Sequence, residues 1–387
     1  MYDVAAGLVQ AGHRVTMLAI NTPKHQQPAD ALDHLGPNFR LVTVNVNTDI
    51  TPVKALKNLL LSRQPYIVER FIDPAVGEKL VEILQNEVVD AVQFEGSFAA
   101  WYAEMLGRLE GPKLRVPPLV LRAHNLEHTI WHMLAGRERN PLKRLYLRDM
   151  AARLERFERR HLPQFDAVAA ITDDDARRLR ALGCPEPVVF IPAGADLSRF
   201  RPDPAIQPRP RTLCMIGSLN WLPNLEGLHW LLREVWPTVR AEMPDVELHV
   251  AGSGTPEELL KPRTDGVVVH GFVKSSTDFM QQYELMLVPL LSGGGMRIKI
   301  IEGMALGKAI LSTSLGAEGI AVRDGHDIVL RDSAAAWLEA LRAWYRGEVP
   351  VAALGTAAAR TAAECYDRRR VTQQFVDLYE RLRPVLA

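Results

Sequence analysis

The stretch Ser292-Gly-Gly-Gly-Met-Arg-Ile-Lys-Ile-Ile-Glu302-Gly-Met-Ala-Leu-Gly307 carries the most readable chemistry in this chain. Gly293, Gly294 and Gly295 let backbone approach a bound group closely, and they stand where a strand ending at Pro289 gives way to a helix starting near Lys299. The free N–H groups and positive dipole end of a helix start favour a phosphate. Arg297 and Lys299 add charge at the same place. Glu302, farther along the helix, is a carboxylate that can accept both hydroxyls of a ribose. A phosphate cradle followed by a diol acceptor spells a nucleotide. The plainer alternative is a tight loop with solvated cations and a surface glutamate, although Gly-rich loops seldom combine all these features.

Other loops hold weaker signals. Gly217-Ser-Leu-Asn220-Trp-Leu-Pro-Asn224 follows a strand and leads into a helix for which Asn224 is the expected N-cap, with Gly217, Asn220 and Asn224 as ligand-facing positions. Gly252-Ser-Gly254 follows another strand, and a tight turn and a ligand loop are equally open there. In the first half, strand Leu119 to Ala123 ends in His124-Asn-Leu-Glu127-His128, where an imidazole can meet a sugar hydroxyl or leaving phosphate, or simply a neighbouring carbonyl. Glu95 is similarly placed, or caps the next helix. Thr172-Asp-Asp-Asp175 reads as an N-cap with acids in a first helical turn rather than a metal site. Arg137 to Arg160 carries nine Arg or Lys against four acids, expected as a solvated helical face, with contact to an anionic membrane surface as the second reading.

These residues need a frame that brings strand ends together. Apolar runs Arg14 to Ile20, Leu41 to Val46, Ala91 to Phe94, Leu119 to Ala123, Ala167 to Ile171 and Val188 to Ile191 alternate with helical stretches. The rhythm restarts at Leu213 to Ile216, Glu247 to Ala251, Val267 to Val269, Leu285 to Pro289 and Ala309 to Ser312. This predicts an α/β protein of two doubly wound parallel-sheet domains facing each other across a cleft, with ligands beyond the carboxyl ends of the strands. The Pro- and Arg-rich stretch Arg201 to Arg211 is the expected connector, giving domains 1–200 and 201–369, with a terminal helix 370–387 packing back on the first. Helix Asp3 to Gln10 has no strand before it, so the first sheet is expected to show a gap or to close up, as though roughly 15 to 25 residues of strand and loop were missing.

Composition narrows the class. A chain of 387 residues is about two to three ordinary domains long, and 47% hydrophobic with 24% charged residues is globular rather than disordered. Lys+Arg 46 against Asp+Glu 46 gives no global attraction to nucleic acid, and none is expected as a partner. Cys184, Cys214 and Cys365 form neither a disulfide framework nor a zinc pattern, and read as core thiols. With no spanning-length apolar run and no signal pattern, a cytoplasmic location is expected, with peripheral contact at the inner membrane face as an extension.

Nearly the whole chain resembles retaining glycosyltransferases of the GT-B fold, in the group called family 4 or "group 1". The resemblance is carried by His124-Asn125, Ile191-Pro-Ala-Gly-Ala-Asp196 with Phe200, Gly217 to Asn224, Gly271-Phe-Val273, and Gly293 through Gly307 with Gly319. It implies a nucleotide-sugar donor held mainly by the second domain, an acceptor held mainly by the first, and metal-independent transfer. Glu302 then matches the ribose-binding second Glu of the family's Glu-x7-Glu motif. Gly294 stands where the first Glu, which touches the donor sugar, commonly sits, as in a glycine-rich variant of the motif. Ala193-Gly-Ala-Asp196 replaces the family's Asn-Gly-Val-Asp.

The expected function is sugar transfer from a nucleotide diphosphate-sugar to a glycan, lipid-linked or small-molecule acceptor, as in polysaccharide assembly. Arg297, Lys299 and the helix start would stabilise the leaving diphosphate, and His124 would contact the sugar from the opposite wall. No cofactor or metal is expected. Competing readings are a nucleotide-sugar epimerase, using Glu95 and Glu127 as acid and base, and a truncated, inactive nucleotide-binding scaffold.

Overall fold

The structure, a computed structural model, describes residues 1–382 except 24–25, 29, 110, 112–113, 185–186 and 261–263. Residues 383–387 of the expected terminal helix therefore lie outside the described residues. The chain divides into two compact units, Met1–Pro192 with Val371–Ala387, and Ala193–Arg370. The break precedes the proline-rich stretch because Ala195 and Phe200 are already buried in the core of the second unit, where the Ala195 N–H donates to the Tyr366 carbonyl at 2.9 Å.

In the first unit the strands are β1 (Val15–Asn21), β2 (Phe39–Asn45), β3 (Val92–Glu95), β4 (Leu119–Ala123), β5 (Ala167–Ala170) and β6 (Val188–Phe190). β3 to β6 form a four-stranded parallel sheet in that order, and β4 and β5 are buried along their whole lengths, as fully covered parallel strands should be. β1 and β2 pair in parallel as a separate two-stranded sheet, from Val15 opposite Phe39 to Asn21 opposite Asn45. Of the two expected outcomes, the gap is the one found: the strands form two separate sheets, with no pairing between them among the described residues. Leu18, Ile20 and Val44 still pack against the core built by β3 to β5.

The helix Arg368–Leu382 places Val371, Phe375 and Leu378 on one stripe, and these bury against Val120, Ala167, Ala169 and Ile191 of the four-stranded sheet. The buried Arg122 guanidinium sits 4.9 Å from the Phe375 ring centroid and donates to the carbonyls of Ile191 and Pro192.

The second unit holds β7 (Arg209–Ile216), β8 (Glu247–Ala251), β9 (Val267–Gly271), β10 (Tyr283–Val288), β11 (Ala309–Ser312) and β12 (Val329–Leu330) in one parallel sheet of order β12-β11-β10-β7-β8-β9. β7 starts earlier than the apolar run suggests because its first three residues are exposed, leaving no hydrophobic mark. The chain winds outward from β7 through β8 to β9, then returns to lay β10 on β7's other side, with Leu285 opposite Leu213. The switch point is therefore between β7 and β10, where an open α/β sheet offers a crevice at its carboxyl edge.

Candidate functional site

Three loops meet at that edge of the second unit. The Gly217 N–H donates to the Ala251 carbonyl at 3.0 Å and the Leu219 N–H to the Ser253 carbonyl at 2.8 Å, joining the loops after β7 and β8. Ser218 Oγ lies 2.9 Å from Ser253 Oγ and donates to Asn220 Oδ1 at 2.6 Å. Gly254 packs so closely on Asn220 that a Cβ there would fall 2.7 Å from its side chain. The loop after β10 closes on the same group: Ser292 Oγ donates to Glu226 Oε2 at 2.6 Å, and a Cβ on Gly293 would meet Trp221 and Pro223 at 3.2 Å. Gly293 and Gly295 have φ of 96° and 78°, a region that side chains disfavour, whereas Gly294 is not in it.

Arg297 sits immediately before the helix Ile298–Ala305, which has no side-chain cap. Its side chain is buried, 5.2 Å over the Trp221 ring, with Nη1 donating to the Gly294 carbonyl. Nε and Nη2 are buried without a hydrogen-bond partner among the described residues. Burial holds its pKa below the ordinary arginine value, against the opposing pull of Glu318. Lys299 Nζ donates to Asn224 Oδ1 at 2.7 Å and to the Ile216 carbonyl at 3.2 Å. Desolvation, reinforced by the Arg297 charge, pushes its pKa down to about 7. Two desolvated cations beside a helix start make a strongly anion-seeking edge.

Asn224 does not cap the following helix. That helix is Leu222–Trp230 with Trp221 at its N-cap, and Asn224 lies inside its first turn. The buried side chain instead bridges two loops, donating to the Ser218 carbonyl at 2.8 Å while accepting from Lys299. Glu302 is half-buried on the helix Ile298–Ala305, on the face of exposed Ile298 and opposite the core residues Ile300, Ile301 and Met304. Gly217, Asn224, Arg297, Lys299 and the glycine triplet thus gather at one sheet edge. Trp221 and Glu226 belong to the same group, and nothing in their spacing marks them.

Gly217 has φ 151°, and a Cβ there would stand 2.8 Å from Asn224 Nδ2 and 3.1 Å from Lys299 Nζ. Gly217→Ala is therefore expected to destabilise the fold by about 1–3 kcal/mol in urea unfolding. An unchanged midpoint would show that this loop tolerates a side chain.

In the first unit, His124 Nε2 lies 2.7 Å from Glu95 Oε2, and Gln93 Nε2 donates to Glu95 Oε1 at 2.6 Å. Tyr379 of the terminal helix donates to Gln93 Oε1 at 2.5 Å, completing a chain that fixes the imidazole. Burial is the largest single influence on the Glu95 carboxyl and pushes it upward, but the hydrogen bonds from His124 and Gln93 together with nearby positive charge outweigh it, and the net shift is downward. His124 is thus held by a carboxylate, not a carbonyl, and Glu95 caps no helix. Glu127 is pushed up to about 7 by burial and by the charge of Glu158. Glu158 is buried within the segment expected to be a solvated face, where it accepts from the Glu127 N–H at 2.9 Å and pairs with His128 Nδ1 at 2.5 Å. Thr172 is the N-cap of Asp173–Ala181, accepting from the Asp175 N–H at 3.0 Å. Among the described residues, no three His, Cys, Asp or Glu side chains gather as a metal ion would require.

The chain matches the family model for group 1 glycosyl transferases over residues 210–346 and that for Glycosyltransferase Family 4 over residues 1–199. It is 26% identical over 264 residues to an uncharacterized 44.6 kDa protein of the cps region of Klebsiella pneumoniae, covering 65% of this chain and 64% of that one. It is 28% identical over 218 residues to a phosphatidyl-myo-inositol mannosyltransferase of Mycobacterium leprae, covering 54% and 57%. These matches span under two thirds of either relative's length. Among solved structures, a sucrose-phosphate synthase of Thermosynechococcus elongatus superposes with TM-score 0.68 at 17% identity, covering 98% of this chain and 91% of that one. The Anabaena protein HepE, solved with UDP and glucose, gives 0.63 at 14% identity, covering 98% and 94%. The structural likeness establishes the GT-B fold. With one family model spanning the first 199 of its 387 residues, the chain belongs to glycosyltransferase family 4.

Proposed function

We propose that this protein transfers a sugar from a nucleotide diphosphate-sugar to a glycan or lipid-linked acceptor, with retention of anomeric configuration. The observation that carries the reading is Arg297, a buried guanidinium with two nitrogens unpartnered among the described residues, beside a lysine whose pKa is pushed down to about 7, at the switch point of the second sheet. A buried cation left in that state is costly, and a diphosphate would satisfy it. Structural neighbours solved with UDP and a sugar, and a relative named as a mannosyltransferase, support a nucleotide-sugar donor. Both family models describe glycosyltransferases, and they favour neither the epimerase nor the scaffold.

In the proposed step the bond from the anomeric carbon to the phosphate oxygen breaks while a bond to the acceptor oxygen forms on the same face. The acceptor proton passes to the departing phosphate oxygen, so no protein base is required. Arg297, Lys299 and the N–H groups at the start of helix Ile298–Ala305 stabilise the growing diphosphate charge, and the proposal assigns no metal. The acceptor is proposed to bind the first unit, where Glu95 orients His124.

Glu302 lies one turn beyond Ile298, about 6 Å along the helix axis, on the scale of the step from a pyrophosphate to its ribose. Glu302→Ala is expected to weaken UDP or GDP binding by about 1–3 kcal/mol in calorimetry while leaving inorganic pyrophosphate binding unchanged. Equal UDP affinity in both proteins would remove Glu302 from the site. Donor turnover to a free isomer without acceptor would replace transfer by epimerisation.

A further inference from the structure

The helix Pro52–Leu61 turns Asn58 inward and Val53, Leu56, Leu60 and Leu61 outward. Asn58 is buried, donating to the Gln64 carbonyl at 3.0 Å and to Glu69 Oε2 at 2.8 Å. Val53, Leu56, Leu60 and Leu61 are 77%, 56%, 71% and 77% exposed. This orientation is fixed from the other side too, since Arg153 of the helix Pro141–His161 donates to the Ser62 carbonyl at 2.8 Å and the Leu59 carbonyl at 3.0 Å. Exposed Lys54 and Lys57 lie among the leucines, and residues 50–63 contain no acid. The start of the neighbouring helix repeats the chemistry, with Leu142 and Leu145 at 79% and 66% exposure in a stretch, 139–148, that also lacks acids.

We propose that helix Pro52–Leu61 is a membrane-docking face, lying along an anionic bilayer with its outward leucines at the acyl boundary and Lys54 and Lys57 on headgroup phosphates. An apolar outer stripe interspersed with Lys54 and Lys57, with Asp49 the nearest acid along the chain, is complementary to that surface. A second copy of the same face would set like charges against each other, which disfavours self-association there. The proposal names a surface and a partner separate from the nucleotide edge, and it stands or falls independently of the transferase reading. No described helix is long and apolar enough to cross a membrane, so docking would be peripheral.

The test is co-flotation of the full chain with vesicles of phosphatidylcholine and phosphatidylglycerol, against vesicles of phosphatidylcholine alone. Binding to the anionic vesicles, weakening with salt, is expected. Leu56→Glu with Leu60→Glu should reduce partitioning by about tenfold or more. Lys54→Gln with Lys57→Gln should cost about fivefold per lysine and abolish the preference for phosphatidylglycerol. Unchanged circular dichroism and melting temperature would confirm that both variants are folded. Absence of binding to anionic vesicles, equal binding by the leucine variant, or a dimer that this variant dissociates would each overturn the proposal.

Discussion

Arg297→Ala is expected to weaken UDP or GDP binding by roughly 10- to 150-fold, about 1.5–3 kcal/mol, while the free protein melts at the same temperature or higher. The two effects separate because the guanidinium is poorly satisfied before ligand arrives: among the described residues Nε and Nη2 are buried without partners, while Nη1 donates to the Gly294 carbonyl and the group stacks over Trp221. Removing an under-satisfied buried cation relieves a desolvation cost in the free state, whereas the bound state loses a charge-assisted contact. Arg297→Lys keeps the charge but not the planar fork over Trp221, and is expected to recover only part of the affinity. A structural arginine would behave oppositely, with a lower melting temperature and little change in nucleotide affinity.

Nucleotide affinity is expected to fall as pH rises above about 7, by up to tenfold per pH unit, through one group. Lys299 is half-protonated near pH 7 in the free protein, and a diphosphate beside it favours the charged form, so its pKa is higher in the complex. Binding therefore takes up a proton between the free and bound pKa values. Full affinity is present below about pH 7 and is lost progressively above it, until the bound pKa is reached. Lys299→Met should flatten this limb and hold affinity near the wild-type high-pH value. Because the nucleotide's own phosphate also titrates, the difference between the two proteins is the quantity to measure, by calorimetry in buffers of different ionisation enthalpy. The same depression acts on stability. The lysine is less protonated folded than unfolded between about 7 and its ordinary value, so this group's contribution to stability rises with pH across that window.

Much of the second unit was legible because its signals are local. β8 and β11 are short apolar runs ended by glycine, threonine or serine, and the expected and observed bounds coincide at Glu247–Ala251 and Ala309–Ser312. The glycine triplet, Arg297 and Lys299 lie within a few residues of one strand end, so their convergence needs only one element boundary to be right. Trp221 beneath Arg297, Glu226 on Ser292 and Asn224 on Lys299 were illegible as partners, since the chain separates each pair by many residues. The Tyr379 to Gln93 bond joins positions 286 apart, and only the packing of the terminal helix on the sheet brings them together. Glu158 was hidden by the basic residues around it. In the first unit the strands divide into two separate sheets, β1 with β2 and β3 to β6.

The most direct measurement is a crystal structure of the protein with UDP or GDP bound. The pyrophosphate is expected against the backbone of Gly293 to Arg297, with Arg297 Nη2 and Lys299 Nζ turned to its oxygens and the ribose hydroxyls on Glu302. A nucleotide seated elsewhere, with those two cations still facing only protein atoms, would contradict this expectation.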